Sequence, residues 1–337
     1  MKILLFHPVL LPPRNYGGVE RMVLWLAQGL RDRGNEVWVA AKKGSQLPDS
    51  LRLLPMLDSE LGAMDLLKKL PSGLDVIHFM APPEEGIWEK LPCAGILTVH
   101  GNGKSGERFP FNAVFLTRDH ALRHGADVFV YNGIDPTEYL FEPELKKKKS
   151  HYLFLSKTSW KVKNLTGAMR ICARANAPLM IAGGSRPIIR RIEAELRPKM
   201  KWIGPVNGKL KAQILTHSRA LLFPVIWPEP FGLVVVEALM SGTPVIASKK
   251  GSLSELLPPD VGVLLDAPVS YDAETQWVNF LQEQKNQLWD PERCRSWALD
   301  KFHYSQMAEG YEALYKRVIQ GEKLHNVHPI AGDWRTE

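Results

Sequence analysis

Residues 228–248 read PEPFGLVVVEALMSGTPVIAS. The run Leu233–Met240 is apolar at every position but one, and Val245–Ala247 follows it after a Gly-Thr-Pro turn. This pattern predicts a buried helix followed by a buried strand. Yet Glu229 opens the stretch and Glu237 interrupts the helix. A buried carboxylate needs hydrogen-bond donors or a cation. Pro228 and Pro230 hold Glu229 in a rigid loop, expected to be exposed, at the helix N-terminus. There the N–H groups of Phe231, Gly232 and Leu233 suit a phosphate or diphosphate. Glu237 lies one turn beyond Leu233 on the same face, and a ribose diol offers two donors that fit one carboxylate. The spacing by itself fits equally well a cap at Glu229 and a core salt bridge at Glu237.

The surrounding chain sets bounds. Its 337 residues lead one to expect two domains. With 45% hydrophobic and 23% charged residues it is globular. No apolar run reaches the ~18–20 residues of a membrane span, and the opening MKILLFHPVLLPP reads as a first strand, not a signal peptide. Cys93, Cys172 and Cys294 are too few and too far apart for a disulfide framework or a zinc knuckle, and read as reduced thiols of a cytoplasmic protein. A net charge of +7 favours anionic partners: nucleotides, anionic lipids or nucleic acid. No zinc-finger spacing, basic-aromatic pattern or long basic helix supports nucleic acid. The basic run Lys146–Lys149 reads first as a solvated linker and second as a membrane or phosphate patch.

Strand signals at Ile3–Phe6, Val37–Ala40, Val76–Phe79, Ile96–Val99, Val114–Thr117 and Val128–Tyr131 alternate with helical periodicity, clearest over Val19–Leu30. After the break at 144–150 they resume at Tyr152–Leu155, Leu179–Ile181, Lys201–Ile203, Leu221–Val225, Val245–Ala247 and Val261–Leu265. Continuous apolar strands alternating with helices mean parallel sheets covered on both faces. The expected fold is therefore α/β, with two doubly wound Rossmann-like domains, 1–148 and 149–304, facing across a cleft. A helix over about 305–322 is expected to pack back on the first domain, and the tail after Glu322 to be loose or draped. Gly101, Gly103 and Gly106 spell G-x-G-x-x-G, but only six residues precede the next strand, too few for the helix a dinucleotide motif needs. The adjoining GKS lacks the first glycine of a P-loop, since residue 98 is Thr.

Two glutamates seven residues apart within PEPFGLVVVEALMSGTPVIAS resemble the E-x7-E segment of retaining nucleotide-sugar glycosyltransferases, specifically glycosyltransferase family 4 with its GT-B fold. The likeness continues in order through NYGGVERMVLWLAQGLRDRGNEVWV, DVIHF, LTVHG, YNGID, FLSKTSWKVKN and PLMIAGG. It implies that Glu229 faces the donor sugar and Glu237 takes the ribose hydroxyls. Gly17 and Gly18 would bring backbone N–H groups to the diphosphate, although a Gly pair before a helix is equally a plain tight turn. His100 stands where the family often carries a His near the donor sugar; read alone, it fits as well a satisfied His at a strand end. His78 is the weaker candidate, among buried strand neighbours. Where the family has Gly-Arg and then Lys on the diphosphate, this chain has Ser156–Lys157 and then Lys163. Lysine keeps the charge and loses the planar fork. Lys161 and Arg14 are the substitutes nearby.

The resemblance implies transfer of a hexosyl-type sugar from a UDP- or GDP-sugar with retention; no Asp-x-Asp stands where a strand end could hold a metal, so Lys157 and Lys163 are expected to replace one, and no other cofactor is expected. The acceptor class stays open among a sugar, a lipid-linked sugar and a small molecule, with peripheral contact at the inner face of a membrane compatible with the charge. The alternatives are a nucleotide-sugar epimerase of the same fold and a catalytically weak sugar-nucleotide-binding protein.

Overall fold

A computed structural model describes residues 1–13, 17–144, 150–184, 199–283 and 289–334. The chain divides into two units, Met1–Ile134 with Phe302–Thr336, and Asp135–Lys301. The joint expected near 148, the basic run Lys146–Lys149 and Arg14 lie outside the described residues.

The first unit holds β1 (Lys2–Phe6), β2 (Glu36–Lys42), β3 (Arg52–Met56), β4 (Val76–Phe79), β5 (Ala94–Thr98) and β6 (Ala113–Val114). Its sheet runs β3-β2-β1-β4-β5-β6, all parallel. The second holds β7 (Tyr152–Leu155), β8 (Leu179–Ala182), β9 (Met200–Gly204), β10 (Leu221–Phe223), β11 (Val245–Ser248) and β12 (Gly262–Leu265). It runs β12-β11-β10-β7-β8-β9, again parallel. Each sheet starts in the middle, grows three strands one way, returns and grows three the other way. The order reverses between β1 and β4 and between β7 and β10. Beyond the carboxyl ends of those strands the outgoing loops diverge and leave a crevice. Both expected doubly wound sheets are present. One strand, β3, was not expected; it sits at a sheet edge, where its Pro55 is tolerated. The expected strand Val128–Tyr131 is reduced to a single bridge, Phe115 to Phe129.

Helix Gly18–Asp32 packs in the first unit against the final helix Tyr304–Ile319. A Cβ at Gly29 would stand 2.7 Å from the Ala308 Cβ, so the missing side chain lets the two helices approach. Tyr311 and Tyr315 of the final helix are fully buried and reach the sheet. His78 Nδ1 lies 2.7 Å from the Tyr315 hydroxyl and its Nε2 lies 2.7 Å from Thr98 Oγ1. Thr98 Oγ1 in turn lies 2.6 Å from the Tyr311 hydroxyl. His78 is thus a structural residue. The tail is bonded, not loose. Phe109 N–H donates to Pro329 O, Ala331 N–H to Glu107 O and Gly106 N–H to Ala331 O, at 2.8–2.9 Å. The loop with Gly101, Gly103 and Gly106 carries no helix and is lined by this tail.

Complete burial, reinforced by nearby His100, pushes His78 down to about 3 from its ordinary 6.5. Below pH 6.5 the unfolded chain takes up a proton there that the folded chain refuses. The stability owed to neutral His78 is therefore full above pH 6.5 and falls as pH drops towards 3, by about 1.4 kcal/mol per pH unit. Urea unfolding of wild type and His78→Gln between pH 6 and 4.5 should show a shallower slope in the variant by about that amount. Equal slopes would mean that His78 is protonated in the folded protein.

Candidate functional site

In the second unit the loops that leave β7 and β10 meet at the reversal of strand order. The first ends in a 3-10 turn, Lys161–Lys163, and the Asn164 side chain accepts from Gly167 N–H to open helix Leu165–Arg174. The second carries Trp227 and Glu229. Lys163 Nζ donates to Glu229 Oε2 at 2.5 Å, and Trp227 Nε1 donates to the same oxygen at 2.7 Å. Lys163 also lies 4.9 Å from the Trp227 ring centroid and 5.3 Å from that of Phe223. Glu229 is only 6% exposed, which corrects the expectation of an exposed loop. The cause is packing from two sides. Lys163 and Trp227 cover the carboxylate, and the backbone of Gly251 lies against the loop. A Cβ at Gly251 (φ 60°) would stand 2.4 Å from Glu229 N, and Ser252 N–H donates to Glu229 O at 2.9 Å.

Gly232 (φ 90°) starts helix Leu233–Met240 without a side-chain cap. The first helical bond is Val235 N–H to Gly232 O at 2.8 Å, so the Gly232, Leu233 and Val234 N–H groups have no acceptor inside the helix. Phe231 is buried, and Ser252 Oγ donates to its carbonyl at 2.7 Å. Glu237, one turn further in, is 3% exposed. Its Oε1 accepts from Lys211 Nζ at 2.5 Å and from the Tyr139 hydroxyl at 2.9 Å. Lys211 comes from helix Gly208–His217. The salt bridge that the spacing allowed at Glu237 is therefore present.

Lys157 is exposed and lies 4.9 Å from the Trp160 ring centroid. Trp160, 45% exposed, meets Trp227 edge to face at 6.1 Å. Contacts thus run from Lys157 through Trp160 and Trp227 to Lys163 and Glu229, while Lys161 points to solvent. Gly183 (φ 98°) lets the turn after β8 pass the first of these loops, since a Cβ there would stand 2.2 Å from Ser156 O.

In the first unit Gly17 precedes helix Gly18–Asp32, whose first residue is Gly18. A Cβ at Gly17 would stand 2.6 Å from the Pro13 Cβ and 2.9 Å from Glu20 Oε2, so the chain passes there only as glycine. His100 follows β5, and its Nε2 has no hydrogen-bond partner. His7 follows β1, and neither of its ring nitrogens has one. Burial, and then His7, push His100 down to about 3, and burial lowers His7 against the opposing charge of Glu20. Both imidazoles are neutral at pH 7. The sequence reading missed His7, Trp160, Trp227, Lys211 and Tyr139. Only His7 had a readable signal, its place directly after the first strand. Among the described residues, no three His, Cys, Asp or Glu side chains gather as they would around a metal ion.

Comparison with known proteins bears on the fold and on the second unit's sequence. The family described as Glycosyl transferases group 1 matches residues 136–294. An uncharacterized glycosyltransferase of Methanocaldococcus jannaschii is 29% identical over 163 residues, 43% of this chain and 42% of that protein. The chain spans about half the length of the curated relatives it matches. AviGT4, a glycosyltransferase involved in avilamycin A biosynthesis, superposes with a TM-score of 0.76 at 23% identity, covering 95% of this chain and 98% of its own. HepE of Anabaena, in complex with UDP-glucose, superposes with a TM-score of 0.68 at 16% identity, covering 94% of this chain and 100% of its own. Residues 136–294 thus match the family described as Glycosyl transferases group 1, in a chain that shares the GT-B fold of the solved glycosyltransferases it superposes on.

Proposed function

We propose that the protein transfers a hexosyl group from a nucleoside diphosphate sugar to an acceptor, with retention at the anomeric carbon and without metal. The observation that carries this reading is the joining, at one reversal of strand order, of Glu229, Lys163 and an uncapped helix N-terminus, with Glu237 one turn deeper. Glu229 faces the donor sugar and Glu237 the ribose. Charge developing on the leaving diphosphate is met by Lys163, by Lys157 and by the N–H groups before Val235. His100, neutral and with an unpartnered nitrogen, is assigned to a hydroxyl of the donor sugar, and the Gly17–Gly18 backbone to the diphosphate, as the family resemblance implies. Departure of the diphosphate on the face where the acceptor hydroxyl attacks lets a phosphate oxygen take that proton. The UDP-glucose held by HepE supports a nucleotide sugar as donor.

A thermal-shift panel of UDP-, GDP- and ADP-sugars identifies the donor, since a ligand of the folded state raises the melting temperature. Turnover of that donor should persist in EDTA; loss with EDTA and recovery with Mg2+ or Mn2+ would refute metal independence. Conversion of donor into an epimer without acceptor would refute transfer.

Glu229→Gln should lower kcat by about a hundredfold or more, the scale of one lost transition-state contact. It should also lower stability, because Lys163 stays buried without its counter-charge. Adding Lys163→Met should restore stability and not activity. Wild-type turnover in the single variant would remove the catalytic role.

Lys157→Ala should reduce kcat/KM at least about tenfold, the value of one charged contact acting in the transition state. Lys157→Arg should retain activity and Lys161→Ala should change it little. A Lys157→Ala enzyme with unchanged kcat/KM and unchanged affinity for the nucleoside diphosphate would make Lys157 an ordinary surface charge.

A further inference from the structure

Lys211 is a buried lysine to which the proposed reaction gives no task. It is 8% exposed, on the inward face of helix Gly208–His217 with Ala212, Ile214 and Leu215. Its ammonium lies 5.6 Å from the Tyr139 ring centroid and 2.5 Å from Glu237 Oε1. Burying an ammonium costs several kcal/mol even after relaxation, and a methionine of similar shape would fill the same space. Such a pair is therefore a poor means of stabilising a fold and a good means of fixing one geometry.

The hydrogen bonds show what is fixed. Lys211 Nζ and the Tyr139 hydroxyl both donate to Oε1, and an anionic oxygen with two donors has its lone pairs engaged. The donors come from two different segments, helix Gly208–His217 and the turn Pro136–Glu138 that precedes Tyr139. Holding one oxygen from two directions sets the plane of the carboxylate, and so the direction in which Oε2 points. A ribose diol places two hydroxyls at a fixed separation, and with Oε1 engaged Oε2 accepts from them only when the carboxylate is held in one orientation.

We propose that Lys211, together with Tyr139, is a positioning residue that aims the Glu237 carboxylate at a ribose diol and thereby makes the donor site selective for ribo- over 2′-deoxyribonucleotides. The inference rests on the reading of Glu237 as the ribose contact. Lys211 itself does not touch the ligand. Its removal takes one of the two named donors from Oε1 and leaves the carboxylate less firmly oriented, so its fit to the diol weakens.

The test compares the affinity of UDP, GDP or ADP, whichever binds, with that of its 2′-deoxy counterpart, by calorimetry. Wild type should prefer the ribonucleotide by about tenfold or more, the worth of one charged hydrogen bond. Lys211→Met and Tyr139→Phe should each bring that ratio towards one, mainly by weakening the ribonucleotide. With the sugar donor, KM should rise in both while kcat changes little. Lys211→Arg keeps the charge and should recover part of the ratio. Tyr139→Phe keeps the ion pair intact and so keeps the test valid if Lys211→Met does not fold. A folded Lys211→Met or Tyr139→Phe protein with the wild-type ratio overturns the inference. Glu237→Ala separates the two levels. If it abolishes the preference while the Lys211 and Tyr139 variants keep it, the ribose contact stands and the positioning role fails. If Glu237→Ala keeps the preference, or wild type binds none of the three nucleotides, the reading of the site fails and the inference falls with it.

Discussion

A carboxylate that is 3% exposed in the middle of an apolar helix constrains everything around it. Helix Leu233–Met240 buries Val235, Val236, Ala238, Leu239 and Met240 completely. Its only charge must be answered inside the protein, because an unpaired buried ion costs several kcal/mol. Glu237 is answered by Lys211, and Glu229 in the preceding loop is answered by Lys163. The two lysines belong to different crossovers of one sheet. Lys163 follows β7, and Lys211 lies on the helix that leads into β10. The strand order sets β7 beside β10 and so fixes where both ammonium groups can stand. Two carboxylates seven residues apart thus draw the second unit's middle strands and their loops into one electrostatic arrangement.

That arrangement explains why glycines cluster near it. Gly232 and Gly251 have positive φ, and Gly251 lies where a Cβ would strike the Glu229 backbone. Close backbone approach replaces side-chain packing there, leaving N–H groups as the lining of the site. The aromatic pair Trp160–Trp227 does the opposite on the other side of Lys163. Of the two, the Trp227 ring lies against the Lys163 ammonium without offering it an anion, which strengthens the ion pair Lys163 makes to Glu229.

The fold was legible because each strand of a parallel sheet is apolar on both faces, and eleven of the twelve expected strand signals coincide with strands of the two sheets. The misses have physical causes. In β3, Arg52 and Pro55 dilute the signal, which an edge strand tolerates. Val128–Tyr131 has the right composition but a single bridge to pair with. The glutamates were legible because a charge inside an apolar run is conspicuous along the chain itself. Their partners were not. Lys211 sits among NGKLKAQ, where three polar or charged neighbours make another lysine unremarkable. Its burial depends on a helix–helix contact that periodicity cannot place. Trp160 and Trp227 likewise are 67 residues apart in sequence and meet only through the pairing of β7 with β10.

Lys163 is already held by Glu229. An ammonium has three N–H groups, and the bond to Glu229 Oε2 uses one. Under the proposed function a diphosphate would not have to break the existing pair; it would add a second anion to a cation already desolvated and held. The desolvation of Lys163 was met in folding, through Glu229 and the faces of Trp227 and Phe223. In the proposed reaction the same bond would also couple the two ends of the donor. As negative charge moves from the glycosidic bond to the diphosphate, Lys163 is drawn towards the phosphate and Glu229 is left with more of its own charge, beside a sugar that is becoming cationic. One ion pair, stretched in the transition state and relaxed before and after it, would serve both partners without either having to move far.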